Sequence, residues 1–157
     1  MDAVDLAAQV HAELLRRGQT IAVAESLTGG DLCGLLTAAP GASATVQGAV
    51  VSYATEVKQQ LLGVPEDVVA ERGVVSAECA RAMAAGVRRV IGADWALATT
   101  GVAGPDPQED KPVGMVFVGV AGPETVRSVE LSLSGDRSQI REQTCAEALK
   151  ELLGDLC

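Results

Sequence analysis

The 157-residue chain reads as an α/β protein, a three-layer α/β/α sandwich built on a mixed, mostly parallel sheet. Three observations predict it. Short apolar runs that stop at hydroxyl and glycine residues alternate with segments at helical spacing, the pattern of strands joined by helical crossovers. Near the C-terminus two strand-like runs are separated only by Gly122-Pro123-Glu124, a connection too short for a crossover, so that pair must be antiparallel. The chain is 48% hydrophobic with only 2% aromatic residues. Its apolar content is therefore mostly Ala, Val and Leu, which suits helices packed closely on a sheet.

Each element follows from local signals. Asp2 to Arg17 carries apolar residues at helical spacing, and Gly18 is placed to end that helix. Thr20 to Glu25 is an apolar strand, and Gly30 to Ala39 a helix stopped by Pro40-Gly41. Val46 to Tyr53 forms the second strand, and Thr55 can cap a helix running to Leu62. Gly63-Val64-Pro65 breaks it; a short helix is expected over Glu66 to Arg72, and Ser76 caps another through Ile91. Trp95 to Thr99 is the third strand. After a long loop come strands at Gly114 to Ala121 and Thr125 to Leu133, then a final helix over Arg137 to Leu153. The order is α-β-α-β-α-α-β-β-β-α, with the 66–72 segment as a short addition. No linker, repeat or low-complexity stretch divides it, so residues 1–157 are expected to be one domain.

Composition narrows the function classes. A formal net charge of −9 offers no broad footprint for nucleic acid, and so few aromatics leave no stacking platform for bases. Cys33, Cys79, Cys145 and Cys157 stand far apart without a CxxC pair, so zinc spacing is absent and free thiols in a reducing cytoplasm are expected. The start, Met1-Asp2-Ala3-Val4-Asp5, lacks the basic flank of a signal peptide, and no apolar stretch is long enough to span a membrane.

Three strand ends carry the candidate chemistry. Ile21 to Ala24 runs into Glu25-Ser26-Leu27-Thr28-Gly29-Gly30. Ligands of open α/β sheets bind at such carboxyl ends, where a serine is presented to substrate and glycines let amides approach an anion. A turn that merely caps the next helix is the alternative. The second strand ends at Tyr53, the only tyrosine, with Lys58 five residues on, so two proton-transfer groups lie near one edge. The third runs into Thr99-Thr100-Gly101-Val102-Ala103-Gly104-Pro105, where Thr100 and the amides around Gly101 and Gly104 could face an oxyanion or phosphate; a glycine-rich turn without ligand is again the alternative. Parallel strands would bring the three ends to one rim. The single histidine, His11, lies in the first helix and makes a poor base. Lysine is the usual substitute in serine chemistry, and only Lys58, Lys111 and Lys150 are present.

Taken together, Ala24-Glu25-Ser26-Leu27-Thr28-Gly29-Gly30, Pro40-Gly41-Ala42-Ser43, Gly48-Ala49-Val50-Val51-Ser52-Tyr53 with Lys58, Gly73-Val74-Val75-Ser76, Thr100-Gly101-Val102-Ala103-Gly104-Pro105, Lys111-Pro112-Val113-Gly114 and Gly135-Asp136-Arg137 with Arg141 resemble the CinA carboxy-terminal domain family. The resemblance runs from about residue 5 to 153. Enzymatic members are nicotinamide-mononucleotide amidases. It implies hydrolysis of that carboxamide to nicotinate mononucleotide and ammonia without metal or organic cofactor, by a serine nucleophile and a lysine base that map onto Ser26 and Lys58. Tyr53 and Ser43 match further site positions. Lys58 must then be neutral, so its pKa must be depressed by burial or nearby positive charge. Tyr53 would relay a proton or steady Lys58, and amides around Thr28, Gly29 and Gly30, or the Thr100-Gly101 turn, would hold the oxyanion. The 5′-phosphate needs a cation, for which Arg137 and Arg141 at the start of the last helix are available, Arg141 being favoured by the family motif.

The chain departs from the family pattern in three places. Leu27 stands where family members commonly carry Cys, Ala54-Thr55 replaces Ser-Asn, and Asp106-Pro107-Gln108-Glu109-Asp110 replaces a glycine-rich loop. Those acids would repel a phosphate if they faced inward. The partners expected are a small pyridine nucleotide and further copies of the chain, with neither nucleic acid nor membrane. A regulatory module with residual catalytic motifs, binding a nucleotide or a protein partner in competence or DNA damage, is the alternative reading.

Overall fold

The structure, a computed structural model, describes Met1–Cys157. Helix α1 (Ala3–Arg17) begins at Asp2, whose carboxylate accepts from the Asp5 amide, and ends at Gly18 in the left-handed region (φ +65°). Then come β1 (Ile21–Glu25), α2 (Asp31–Thr37), a single 3-10 turn at Ala42–Ala44, and β2 (Val46–Val51). Three helices, α3 (Thr55–Leu62), α4 (Glu66–Arg72) and α5 (Ala77–Ile91), lead to β3 (Trp95–Gly101). Strands β4 (Met115–Ala121) and β5 (Val126–Ser132) and helix α6 (Arg137–Leu156) complete the chain.

The sheet has the order β2-β1-β3-β4-β5. Strand β1 pairs parallel with both β2 and β3, whereas β4 runs antiparallel to β3 and to β5. Antiparallel pairing is thus confined to the C-terminal half: the short 122–125 connection requires it between β4 and β5, and the longer 102–114 segment brings β4 back antiparallel to β3. The side chains of each strand divide the molecule into layers. Ile21, Val23, Leu97, Val118 and Val120 pack with α1, α2 and α6 on one face. Ala22, Ala24, Ala96, Ala98 and Ala121 pack with α3 and α5 on the other.

The second face is lined by alanine because α5 lies almost on the sheet. A Cβ at Gly119 would sit 2.2 Å from the Ala80 carbonyl oxygen, and one at Gly86 would sit 1.9 Å from that of Leu62. Only glycine fits at either contact.

Several boundaries differ from expectation for local reasons. The 66–72 helix is a full element, giving three helices between β2 and β3. Strand β2 stops at Val51, two residues early, because the Ser52 and Tyr53 carbonyls turn to the amine of Lys58. Strand β3 continues two residues past Thr99, since Thr100 and Gly101 still pair with Phe117 and Val116. Helix α6 extends to Leu156, which with Leu152 is buried against the sheet. Thr55 is the first residue of α3, and the N-cap position is Ala54, with no side-chain cap.

Chain reversal on either side of β1 sets the position of a site. From β1 the chain crosses one face through α2 to β2, then returns over the other face to β3 on the opposite side. The carboxyl ends of β1 and β3 therefore flank a crevice of the kind in which α/β sheets bind ligands. No helix is long and apolar enough to cross a membrane.

Candidate active site

The site forms where β1 ends. Glu25, the last residue of the strand, is fully buried. Its carboxylate accepts from the amides of Gly30 (3.2 Å), Leu32 (2.9 Å) and Cys33 (2.9 Å), so it occupies the positive end of α2. The next residue, Ser26, is thereby held on a tight turn in which the Gly29 amide donates back to the Ser26 carbonyl at 3.1 Å. Gly29 and Gly30 take positive φ angles of +58° and +105°, which glycine adopts without a steric penalty. Behind the turn, Thr99 Oγ1 accepts from the Ser26 amide at 3.4 Å and shares a 2.8 Å hydrogen bond with Thr28 Oγ1.

Lys58 reaches this serine from α3. Its side chain is 1% exposed, and its amine lies 2.9 Å from Ser26 Oγ, 2.6 Å from the Ser52 carbonyl and 3.1 Å from the Tyr53 carbonyl. No carboxylate forms an ion pair with it; Glu109 and the Cys79 thiol act on it only at longer range. Burial dominates and holds the Lys58 pKa below that of an ordinary lysine. Burial also pushes the nearby Cys79 thiol up to about 11, which keeps it an inert neutral group. The amine donates to the two carbonyls, and in its neutral form it can turn its lone pair to the serine O–H.

A cavity of about 140 Å³ opens onto the pair. That is the size of a cavity that takes a benzene-sized ring. Ser26, Tyr53 and Lys58 line it together with Val74, Thr100, Gly101, Gly104, Asp106 and Arg137. The Tyr53 side chain is 64% exposed, and its hydroxyl accepts from Arg137 Nη2 at 3.2 Å. Tyr53 thus touches Lys58 through its carbonyl, with its phenol directed to Arg137. Arg137 also donates to the Gly104 carbonyl at 2.7 Å. Thr100 lines the cavity, but its hydroxyl donates to the Val74 carbonyl at 2.7 Å and ties the segment before α5 to β3.

Five residues expected at the site lie outside the cavity lining. The Gly29 and Gly30 amides already have acceptors, and the Thr28 hydroxyl is bound to Thr99. Arg141 is held behind the turn, donating to the Thr28 carbonyl at 3.2 Å and paired with Asp31 at 3.0 Å. Arg137, one helical turn earlier, is the arginine that lines the cavity. Ser43 sits in the 3-10 turn before β2, at the opposite end of the sheet from Ser26.

The acidic loop is divided in its use. Glu109 turns inward, but onto protein amides: it accepts from Val74 (3.1 Å) and Val75 (2.9 Å) and pairs with Lys111 at 3.6 Å. Asp106 alone of the three acids lines the cavity. Sequence reasoning did not assign roles to Glu25, Thr99, Ser52 and Glu109. A charged residue closing an otherwise apolar strand, five positions before a helix, was the available signal for Glu25. No group of His, Cys, Asp and Glu is arranged to hold a metal ion.

Residues 3–156 match the family model of the CinA C-terminal domain. A CinA-like protein of Frankia casuarinae is 56% identical over 136 residues, covering 87% of this chain and 31% of that protein. One from Synechococcus sp. is 50% identical, covering 97% and 37%. This chain thus spans about a third of the length of the curated relatives it matches. Among solved structures, a CinA superfamily protein of Klebsiella pneumoniae superposes with a TM-score of 0.96 at 30% identity, covering 99% of this chain and 98% of that one. A competence/damage inducible protein of Agrobacterium tumefaciens gives 0.94 at 33%, covering 98% and 95%.

Proposed function

The chain belongs to the CinA C-terminal domain family, and on that premise we propose that it hydrolyses the carboxamide of nicotinamide mononucleotide to nicotinate mononucleotide and ammonia. The observation that carries the reading is the environment of Lys58. A buried amine with two carbonyls and one serine hydroxyl, and no carboxylate, is arranged to work as a neutral base.

The chemistry follows from those contacts. Lys58 takes the Ser26 proton as Oγ bonds to the carboxamide carbon. The resulting ammonium returns a proton to the amide nitrogen, the C–N bond breaks, and ammonia leaves. Water then attacks the Ser26 ester, again with Lys58 as base, releasing the carboxylate and restoring the hydroxyl. The substrate's pyridinium withdraws electrons from the carboxamide and favours attack. Arg137 has unused N–H donors at the cavity mouth and is the residue proposed to meet the 5′-phosphate. Asp106, beside it, is suited to a ribose hydroxyl. The exposed Tyr53 phenol holds Arg137 in place. No metal or organic cofactor enters any step.

The test is release of ammonia and nicotinate mononucleotide from nicotinamide mononucleotide by the purified protein, with Ser26→Ala as control. Turnover that disappears in Ser26→Ala is expected. Binding of the nucleotide without ammonia release by the intact protein would instead favour a regulatory module of the kind that the names of its competence- and damage-inducible relatives suggest.

A further inference from the structure

We propose that the main-chain amides of Leu27 and Ala103 form the oxyanion site of this reaction, an assignment that rests on the serine-amidase reading above. Buried amides almost always have a hydrogen-bond partner, so unpartnered ones call for a reason. Around Ser26 three neighbouring donors are occupied: its own amide by Thr99, that of Gly29 by the Ser26 carbonyl, and that of Gly30 by Glu25. The amides of Leu27 and Ala103 have no acceptor within the protein, although these residues are only 4% and 5% exposed.

The two residues come from different turns and meet. Leu27 follows the nucleophile after β1, and Ala103 lies two residues beyond β3. Both line the cavity with Ser26 and Lys58, and they pack in one small apolar cluster with Val116 and Ile140. The Thr28 amide is also unpartnered, but Thr28 lies outside the cavity lining. The Gly104 amide is unpartnered within the lining and stands next to Ala103 as an auxiliary donor.

The surroundings keep these donors in place before substrate arrives. Val102 exchanges main-chain hydrogen bonds with Gly114 and Met115 at 2.8 and 2.9 Å. Arg137 holds the Gly104 carbonyl, and Glu25 fixes the turn that carries Leu27. Donors pre-set in a largely closed cavity stabilise charge as it develops, without reorganisation. When Ser26 Oγ bonds to the carboxamide carbon, the carbonyl π pair moves to oxygen, and that oxyanion accepts from Leu27 and Ala103. Collapse returns the pair to the C=O bond as ammonia departs.

Two experiments test the assignment. Ala103→Pro removes the N–H and is expected to lower kcat about 10²–10³-fold while KM changes little; Ala103→Gly alters the same position but keeps the N–H, and is expected to retain at least about tenfold more kcat than Ala103→Pro. An Ala103→Pro enzyme that turns over like Ala103→Gly overturns the proposal. The second experiment needs no variant. Pyridine-3-boronic acid is added to isotope-labelled wild-type protein, where a tetrahedral Ser26 adduct places an anionic oxygen in the site. The Leu27 and Ala103 amide protons are expected to move downfield together. A Ser26 adduct that leaves both unmoved overturns the oxyanion assignment alone, whereas absence of any Ser26 adduct overturns the serine mechanism and this proposal with it.

Discussion

The turns after β1 and β3 lie side by side, and both offer glycines and hydroxyls at a strand end, yet they are held in opposite ways. The first is fastened from within: the Glu25 carboxylate takes three amides of the α2 terminus, and the glycine amides that resemble an anion cradle are already occupied. The second is fastened from outside, through the Thr100 hydroxyl on Val74 and Arg137 on Gly104, and the amides of Ala103 and Gly104 stay without partners. A helix N-terminus is an anion site only when the protein has not filled it with its own anion. The turn that looks more like a phosphate loop carries the proposed nucleophile and leaves the Leu27 amide open, and the plainer turn leaves those of Ala103 and Gly104 open.

On the proposed reading the covalent chemistry belongs to the first turn together with Lys58, so the largest effect should come from the base. Lys58→Arg puts a guanidinium that stays protonated in place of the neutral amine and cannot accept a proton, and turnover of nicotinamide mononucleotide should fall about 10²–10⁴-fold in an ammonia-release assay. Near wild-type turnover would break the contrast at its root.

The next effect separates internal from external fastening. Glu25→Ala leaves three helix amides without their charged acceptor and should cost about 2–4 kcal/mol in urea unfolding. Thr100→Val, which loses one neutral hydrogen bond, should cost about 1 kcal/mol. Equal costs would mean that the first turn is not held by its carboxylate.

The two arginines of α6 give a finer comparison. Arg137→Ala should raise KM for the mononucleotide about ten- to a hundredfold, the worth of a charge-assisted contact of roughly 1.5–3 kcal/mol, and leave turnover of the riboside nearly unchanged. Arg141→Ala should affect both substrates alike, through loss of its hold on Thr28 and Asp31. The reverse result would move the phosphate behind the first turn.

The smallest effect is in pH. Burial depresses the Lys58 pKa in the folded protein, while the unfolded chain keeps a value near 10.4. Between those two values the unfolded state binds more protons, so stability rises with pH across that window; below both, the burial penalty is present in full. The melting temperature of the wild type relative to Lys58→Met should therefore climb from neutral pH toward 10, by roughly 2–4 °C for each kcal/mol recovered. A flat difference would place the amine in water-like surroundings. The rate constant kcat/KM should rise with pH through the depressed Lys58 value in the free enzyme.

Much of the architecture was legible because its signals are local. An apolar run closed by hydroxyls and glycines shows a strand end whatever surrounds it, and the bounds of α4 at Glu66 and Arg72 follow from Pro65 and Gly73. The short 122–125 connection likewise dictated that β4 and β5 pair antiparallel. Ser26 and Lys58 could be singled out by residue type and spacing, and they meet because β1 and β2 are neighbours. The occupancy of amides was not legible, since it depends on where the Glu25 side chain points. Arg137 and Arg141 share a helix face in sequence, and only the entry angle of α6 decides which one reaches the cavity. Ser43 lies at the far end of the sheet because it precedes β2, a matter of strand direction that the Pro40-Gly41-Ala42-Ser43 stretch does not disclose.

The scarcity of aromatic residues has an optical consequence. The single tryptophan, Trp95, opens β3 at the end of the sheet remote from the cavity, 8% exposed with its indole N–H on Gln19 at 2.9 Å. The single tyrosine, Tyr53, stands at the cavity mouth on Arg137. Indole emission therefore tracks the integrity of the fold, and phenol emission tracks occupancy of the cavity. The chain carries two intrinsic fluorophores that report separately on folding and on ligand binding, with no label added.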